Sequence, residues 1–321
     1  MACALTGGVR LADVIGSCAQ RLVIESDRLY TPLWDEAFVD LNAIIAPEAY
    51  RKLLAVPKWA FEEAKPCAFA VASTEGGIIL ASSGLLGLIG FCAYHSGAAS
   101  VMAARGADED KLREFEDMFL HIVTNHVVHG WPLPGRLEVS SALAYQKIVI
   151  HRDCMTAFVL LHELGHIDLG HLGGRDIGPI DFQPRIPDLP SQLHAAEIEA
   201  DDFACSAFAN PDALDVAATL LTAWAYVEAG RRLIRGPSAH LSLTHPLSIN
   251  RLDRLARRLS QRTDGASTPS CGAGIMVGRT AAIVENPSGV GLQAQLSTRE
   301  EGLARQRTLL ESHRRIAQSA C

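Results

Sequence analysis

The sequence predicts a predominantly helical α+β fold, and three observations support it. The 321 residues are 48% hydrophobic and 20% charged, which is enough apolar material for a sizeable core in one or two domains. Long segments with helical periodicity dominate the chain, whereas only short runs have the length and composition of strands. Gly and Pro residues separate most of these segments. A small sheet accompanying many helices is therefore expected.

In the first half of the chain, local patterns predict a mixed region followed by strands. The first 65 residues indicate mainly helical, mixed structure, and Cys67–Ser73 is expected to be a strand. Residues 76–104 contain no Asp, Glu, Lys or Arg. We interpret them as a buried strand, Ile78–Ala81, followed by a core helix, because serines and glycines interrupt the apolar run. A membrane span is the alternative.

In the second half, helix signals are clearer than strand signals. Residues 108–128 predict an amphipathic helix that ends before Gly130. Residues 137–150 are expected to be extended. A further helix is predicted from Pro211 to about residue 235, with Asn210 as its N-cap and proline at its first position. A polar helix is predicted over about residues 298–318, within a tail rich in Gly, Ser and Thr that we expect to be loosely attached.

The most informative motif is the H-E-x-x-H sequence at residues 162–166, within an apolar helical stretch. Residues four apart on a helix lie about 40° apart on one face, so His162 and His166 can bind one metal ion. Glu163 lies beside them and can act as a base. We expect Asp153 to cap this helix and Gly173-Gly174 to end it. The alternative is that both histidines are hydrogen-bonded core residues.

A catalytic zinc site needs a third protein ligand and keeps its fourth position for water or substrate. His171 is about 180° round a continuous helix from His162 and is rejected on that ground. On a later acidic helix, Glu197 and Asp201 share a face, whereas Glu199 lies about 200° from Glu197. Glu197 is therefore the expected third ligand, and Asp201 is placed to accept the free N–H of a ligating histidine. The alternative is that this acidic cluster is a solvated face.

This combination of motifs resembles the gluzincin metallopeptidases, in particular the HtpX-like and CAAX-prenyl-protease-like branch. The second helix reproduces the pattern E-x-x-A-D-x-F-A from Glu197, and residues 245–251 reproduce H-P-x-x-x-x-R. The resemblance implies a zincin-like core with a small sheet beside the active-site helix. It also implies that His245 stabilises the tetrahedral intermediate and that Arg251 anchors acidic side chains.

Two other families are second choices. The ImmA/IrrE-like peptidases share H-E-L-G-H and the glutamate helix but usually carry Asn where Asp201 stands. The phage-exclusion Lit peptidases are similar in length and in the mid-chain position of the motif, and only position and size suggest them.

The resulting functional hypothesis is a zinc endopeptidase that hydrolyses a protein or peptide substrate. One zinc ion per chain is held by His162, His166 and Glu197, with Glu163 as the base. The predicted strand at 137–150 would pair with extended substrate, with Ser140, Ala142 and Ala144 along its edge. The alternatives are a triggered defence or regulatory protease with one cellular target, and a zinc-stabilised, non-catalytic interaction protein.

The sequence also predicts domain organisation and location. We expect an N-terminal region at 1–135, a catalytic core at 136–264 and a C-terminal tail at 265–321, with an irregular loop or lid at 173–194. The net charge of −7 argues against general attraction to nucleic acid. Eight cysteines without a C-x-x-C pair favour a reduced, cytoplasmic setting. The alternative is a protein tethered to a membrane through residues 76–104.

Overall fold

The computed structural model describes ten stretches of the chain, which are 31–32, 41–61, 63–64, 66–73, 76–133, 139, 141–172, 189–235, 246–262 and 299–320. The chain divides into two compact units. The first comprises residues 1–86, 157–209 and 243–246, and the second comprises residues 87–156, 210–242 and 247–321. The described elements are mainly helices with one small mixed sheet, which confirms the predicted fold class.

The strands are β1 (Thr31–Pro32), β2 (Lys58–Phe61), β3 (Ala68–Ser73) and β4 (Gly76–Ser82). The helices are α1 (Leu41–Ile44), α2 (Pro47–Ala55), α3 (Ser83–Ala104), α4 (Glu109–His129), α5 (Ala142–Asp168), α6 (Leu189–Ala207), α7 (Pro211–Arg235), α8 (Ser248–Arg262) and α9 (Arg299–Ala320). The predicted strands at 67–73 and 78–81 and the predicted helices at 108–128, 211–235 and 298–318 are confirmed.

The sheet belongs to the first unit and has the order β1-β2-β4-β3. β2 runs parallel to β4, whereas β1 and β3 run antiparallel to their neighbours. Phe61, Ile78 and Leu80 form a buried cluster on one face, and Trp59, Phe69 and Val71 pack against it. Alternate residues of each strand thus supply a continuous apolar face, as the two-residue period of a strand requires.

Helix α3 is the core helix that the sequence predicted. It is long and apolar enough to cross a membrane, but 67% of its apolar window is buried inside the protein. Leu88, Ile89, Cys92 and Ala93 are each almost fully buried. Burial on all sides explains why the helix lacks a polar face.

In the second unit, α9 is polar in composition but contributes to the core. His313 and Gln306 are each at most 1% exposed. Nε2 of His313 lies 3.1 Å from Nδ1 of His95 on α3, and the His95 ring stacks on Phe119 with centroids 4.0 Å apart. The helix is therefore packed into this unit, contrary to the expectation of a loosely attached tail.

The extended segment predicted at 137–150 is wrong from residue 142 onward, where α5 begins. Its N-terminus is capped by Ser141, whose Oγ accepts the Ala144 N–H at 3.1 Å, and not by Asp153, which lies inside the helix. Ala142 and Ala144 are helical, and Ser140 lies outside the described residues. Leu143, Tyr145 and Ile150 on this part of the helix are each more than half exposed.

The ends of the two motif helices also differ from expectation. α5 ends at Asp168, so Gly173-Gly174 does not terminate it, and both glycines lie outside the described residues. α6 begins at Leu189, within the segment expected to be an irregular loop or lid. Residues 173–188 of that predicted loop lie outside the described residues.

Candidate metal centre

The candidate centre lies in the first unit, where the C-terminal half of α5 contacts α6. The two helices are in close contact at Gly165, which lies between the two motif histidines. A Cβ atom at this position would lie 3.1 Å from Cα of Ala200 and 3.3 Å from Cβ of Phe203. Glycine at 165 and alanine at 200 therefore allow α6 to present its acidic residues to the histidines of α5.

Three side chains converge at this contact. Nε2 of His162 and Nε2 of His166 lie 3.2 Å apart. The Glu197 carboxylate has one oxygen 3.2 Å from the His162 Nε2 and the other 3.4 Å from the His166 Nε2. This is the only grouping of three potential ligands found in the described parts of the chain. The structure thus brings together the three residues that the sequence proposed as ligands.

These distances and donor types fit a zinc ion. With bonds of 2.0–2.1 Å to imidazole nitrogen and tetrahedral angles, two nitrogens on one ion lie about 3.3 Å apart. The observed separation of the two Nε2 atoms is 3.2 Å. Two imidazoles with one carboxylate are also the donor set of a known class of catalytic zinc site. The residues present therefore fit the ion that the motif implies.

Asp201 holds the first histidine in place. Its Oδ1 lies 2.9 Å from Nδ1 of His162, and both side chains are buried. A carboxylate only accepts hydrogen bonds, so His162 donates from Nδ1, which leaves the Nε2 lone pair directed at His166 and Glu197. This is the contact that the sequence predicted for Asp201.

Glu163 is buried beside the three candidate ligands, with 6% of the residue exposed. Burial raises the pKa of its carboxyl above the ordinary value. The charges of His162 and His166 oppose this increase in pKa, as does a hydrogen bond from the backbone N–H of Ala70 on β3. The carboxyl is therefore a stronger proton acceptor than an exposed glutamate.

The register of the sheet shows how the Ala70 amide reaches Glu163. Ser82 donates its N–H to the carbonyl of Cys67, so hydrogen-bonded pairs of β3 with β4 fall on odd-numbered residues of β3. The even-numbered residues Ala68, Ala70 and Ala72 then direct their backbone groups away from β4. Among the described strands, none pairs with this outer edge of β3.

The end of α5 brings a third histidine to the site. The N–H of His171 donates to the carbonyl of His166 at 2.9 Å, and Gly170 adopts the left-handed conformation with φ of 72°. Nδ1 of His171 then lies 3.0 Å from Nδ1 of His166, and its Nε2 lies 3.0 Å from Oε2 of Glu199.

The end of α5 is also tied to α2. The carboxylate of Asp168, at the last position of α5, is bound at 2.9 and 3.0 Å by Nζ of Lys52 from α2.

The described structure does not test the roles predicted for two further site residues. His245 lies outside the described residues. Arg251 lies on α8 in the second unit, where its N–H donates to the Leu247 carbonyl at 3.2 Å. Nearby, Ser248 begins this helix by donating its N–H and hydroxyl to the Glu228 carboxylate at 2.9 and 2.7 Å. The functional roles of His245 and Arg251 remain predictions.

Sequence reasoning missed three residues that contact the site. His171 was excluded as a metal ligand for a continuous helix and Glu199 was placed away from Glu197, so neither residue was connected with His166. Gly170 was the available signal, since glycine one or two residues past a helix often adopts the left-handed conformation. Ala70 gave no signal, because its role depends on a contact between distant segments.

Comparison with known proteins identifies one family. The family model described as Peptidase U49 matches residues 95–268, which is more than half of the chain. The matched region includes the H-E-x-x-H motif and Glu197. No curated protein and no solved structure matches the chain.

Proposed function

We propose that this chain, which belongs to the Peptidase U49 family and is therefore a peptidase, is a zinc-dependent endopeptidase. The observation that carries the proposal is the convergence of His162, His166 and Glu197 beside the buried carboxyl of Glu163. Family membership supports hydrolysis of a protein or peptide, and the donor set supports the metal type.

In this proposal His162, His166 and Glu197 hold one zinc ion. The bound ion supplies Lewis-acid chemistry, because it polarises a carbonyl oxygen and lowers the pKa of water. Asp201 keeps the His162 ring in the orientation and tautomer that binding requires. The close contact of Gly165 with Ala200 holds the helix carrying Glu197 against the helix carrying the histidines.

Glu163 moves the proton. Its carboxylate accepts a proton from the attacking water and returns it to the nitrogen of the leaving amine. Burial supports this role because it raises the pKa of the carboxyl and so increases its affinity for the proton. A hydrogen bond from the Ala70 amide opposes this rise in pKa and favours the ionised carboxylate that acts as the base.

The outer edge of β3 is the proposed binding edge for substrate. An extended peptide that pairs with Ala68 and Ala72 would pass the Ala70 amide and so lie beside Glu163. This edge replaces the one that the sequence analysis assigned to residues 137–150, which are helical from residue 142 onward. Backbone pairing would supply affinity that is independent of the substrate sequence, leaving side-chain pockets to select the target.

We retain the HtpX-like and CAAX-prenyl-protease-like branch as the proposed relationship within the metallopeptidases, with His245 and Arg251 in the roles the resemblance implies. The proposed location is the cytoplasm. Cys67, Cys92, Cys154 and Cys205 are free thiols, and α3 is largely buried in the protein core, both of which favour this location over a membrane tether.

The test is a comparison of wild type with Glu163→Gln in a proteome. Each zinc-loaded protein is incubated with a bacterial cell lysate, and new protein N-termini are labelled and identified by mass spectrometry. The proposal predicts cleavage sites that are made by wild type and are absent with Glu163→Gln or with a chelator. New N-termini produced equally by both proteins would contradict it. A single cleaved protein would identify the triggered, one-target form of the peptidase.

A further inference from the structure

We propose that His171 and Glu199 are positioning residues for the second candidate zinc ligand, His166. This inference rests on the proposed function, since it assigns a role toward the same metal centre. It extends that function by two residues that the ligand motif does not contain. They form a chain of hydrogen bonds from the buried imidazole to the surface of α6.

The local structure at the end of α5 explains why His171 contacts His166. The helix terminates with the N–H of His171 bonded to the His166 carbonyl and the N–H of Gly170 bonded to the Ile167 carbonyl, at 2.9 and 3.2 Å. These are the two bonds of a Schellman motif, with glycine in its left-handed position. The motif turns the chain back so that the residue after glycine packs over the last turn of the helix. In this protein that turn carries His166.

The hydrogen-bond partners determine the tautomer of each ring. Glu199 can only accept a hydrogen bond, so the Nε2 of a neutral His171 carries the proton. Nδ1 of His171 is then an acceptor, and Nδ1 of His166 must donate to it across 3.0 Å. Nε2 of His166 is consequently left with a lone pair that faces His162 and Glu197. Asp201 likewise accepts the Nδ1 proton of His162. Both histidines therefore donate from Nδ1 toward a carboxylate, directly or through His171, and keep Nε2 available for the metal.

The exposure of the two side chains indicates how much His171 and Glu199 each contribute to zinc affinity. The side chain of His171 is 13% exposed, whereas that of Glu199 is 63% exposed. The contact between His166 and His171 is therefore shielded from water, and the contact of His171 with Glu199 competes with solvent. Loss of outer partners of ligating histidines typically lowers metal affinity by about 10–100-fold. We expect about a tenfold loss for His171→Ala and a smaller loss, about threefold, for Glu199→Ala.

The experiment measures zinc affinity by competition with a chromophoric chelator, for full-length wild type, His171→Ala, Glu199→Ala and the double variant. His171→Asn is the conservative variant, because its Oδ1 can accept from His166 but its side chain is too short to reach Glu199. Urea unfolding of each metal-free protein is measured in parallel. A purely structural role for His171 would lower the free energy of unfolding of the metal-free protein, whereas a positioning role lowers zinc affinity without doing so.

The proposal predicts that His171→Ala binds zinc about tenfold more weakly, that His171→Asn recovers most of this loss, and that Glu199→Ala has no further effect when His171 is absent. Wild-type affinity in His171→Ala would overturn the inference while leaving the proposed zinc site intact. Additive losses in the double variant would overturn the chain of contacts. Failure of the folded wild-type protein to bind zinc would overturn both this inference and the proposed function.

Discussion

The outer edge of β3 lies beside the H-E-x-x-H helix, where the backbone N–H of Ala70 is close enough to the Glu163 carboxyl to lower its pKa by hydrogen bonding. Glutamine at 163 retains an oxygen that can accept this bond but loses the ability to take up a proton. We expect Glu163→Gln to retain wild-type zinc content and to lose hydrolysis by about 10²–10⁴-fold. Initial rates on the substrate found in the lysate experiment measure this loss. Glu48→Gln on α2, whose side chain is exposed, is the control, and wild-type activity in Glu163→Gln would exclude the base role.

Ala72 and Val71 provide a matched pair for testing the edge of β3. The N–H of Ala72 points away from β4, so Ala72→Pro removes a bond to substrate without breaking the sheet. Loss of one such bond corresponds to about a five- to tenfold rise in KM, with kcat little changed. Val71→Pro instead removes an N–H directed at β4 and should destabilise the fold. An unchanged KM in a folded Ala72→Pro protein would remove this edge from the account.

Gly170 and Gly87 form a second pair, because alanine has opposite effects at the two positions. Gly170 has φ of 72°, which strains any residue with a Cβ, although the space around it is open. We expect Gly170→Ala to lower the free energy of unfolding by about 1 kcal/mol. Gly87 is exposed within helix α3, also in open space, so Gly87→Ala should raise it by about 0.5–1 kcal/mol. Urea unfolding measures both, and stabilisation by Gly170→Ala would contradict the assigned helix end.

The buried pair of His95 and His313 predicts loss of stability in acid. Burial lowers the pKa of His95 well below its ordinary value and lowers that of His313 to about 3. The unfolded chain takes up protons first, so the contribution of these groups is complete above about pH 6.5 and decreases as pH falls from 6.5 toward 3. In this range each histidine lowers the free energy of unfolding by about 1.4 kcal/mol for each unit by which the pH falls. We expect the free energy of unfolding of His313→Gln, measured with urea, to decrease less between pH 7.5 and 5.5 than that of wild type. The same decrease in both proteins would contradict the prediction.

The parts of the site that could be predicted from sequence are those set by one helix. His162, Glu163 and His166 follow from the period of α5 alone. The pairing of Glu197 and Asp201 also follows from periodicity, but their contact with α5 required the further inference that alanines on α6 allow close packing. The structure adds Gly165 to that inference, since its missing side chain admits Ala200.

Other features depend on information that local patterns do not contain. Residues 142–150 are a short, mainly apolar run, which does not separate a strand from the first turns of a helix. The contact of Ala70 with Glu163 joins segments far apart in sequence, so no periodicity reports it. The contact of His171 with His166 depends on the left-handed turn at Gly170, which reverses the chain after the helix ends.

The most direct test of the central claim is the metal content of the purified protein, measured by elemental analysis after washing with a chelator. The account predicts about one zinc per chain in wild type and in the control Glu48→Ala. It predicts a sharp loss in His162→Ala and in Glu197→Ala, because each removes one of three protein ligands. A folded wild-type protein without zinc, or a zinc content that Glu197→Ala leaves unchanged, would contradict the proposed centre.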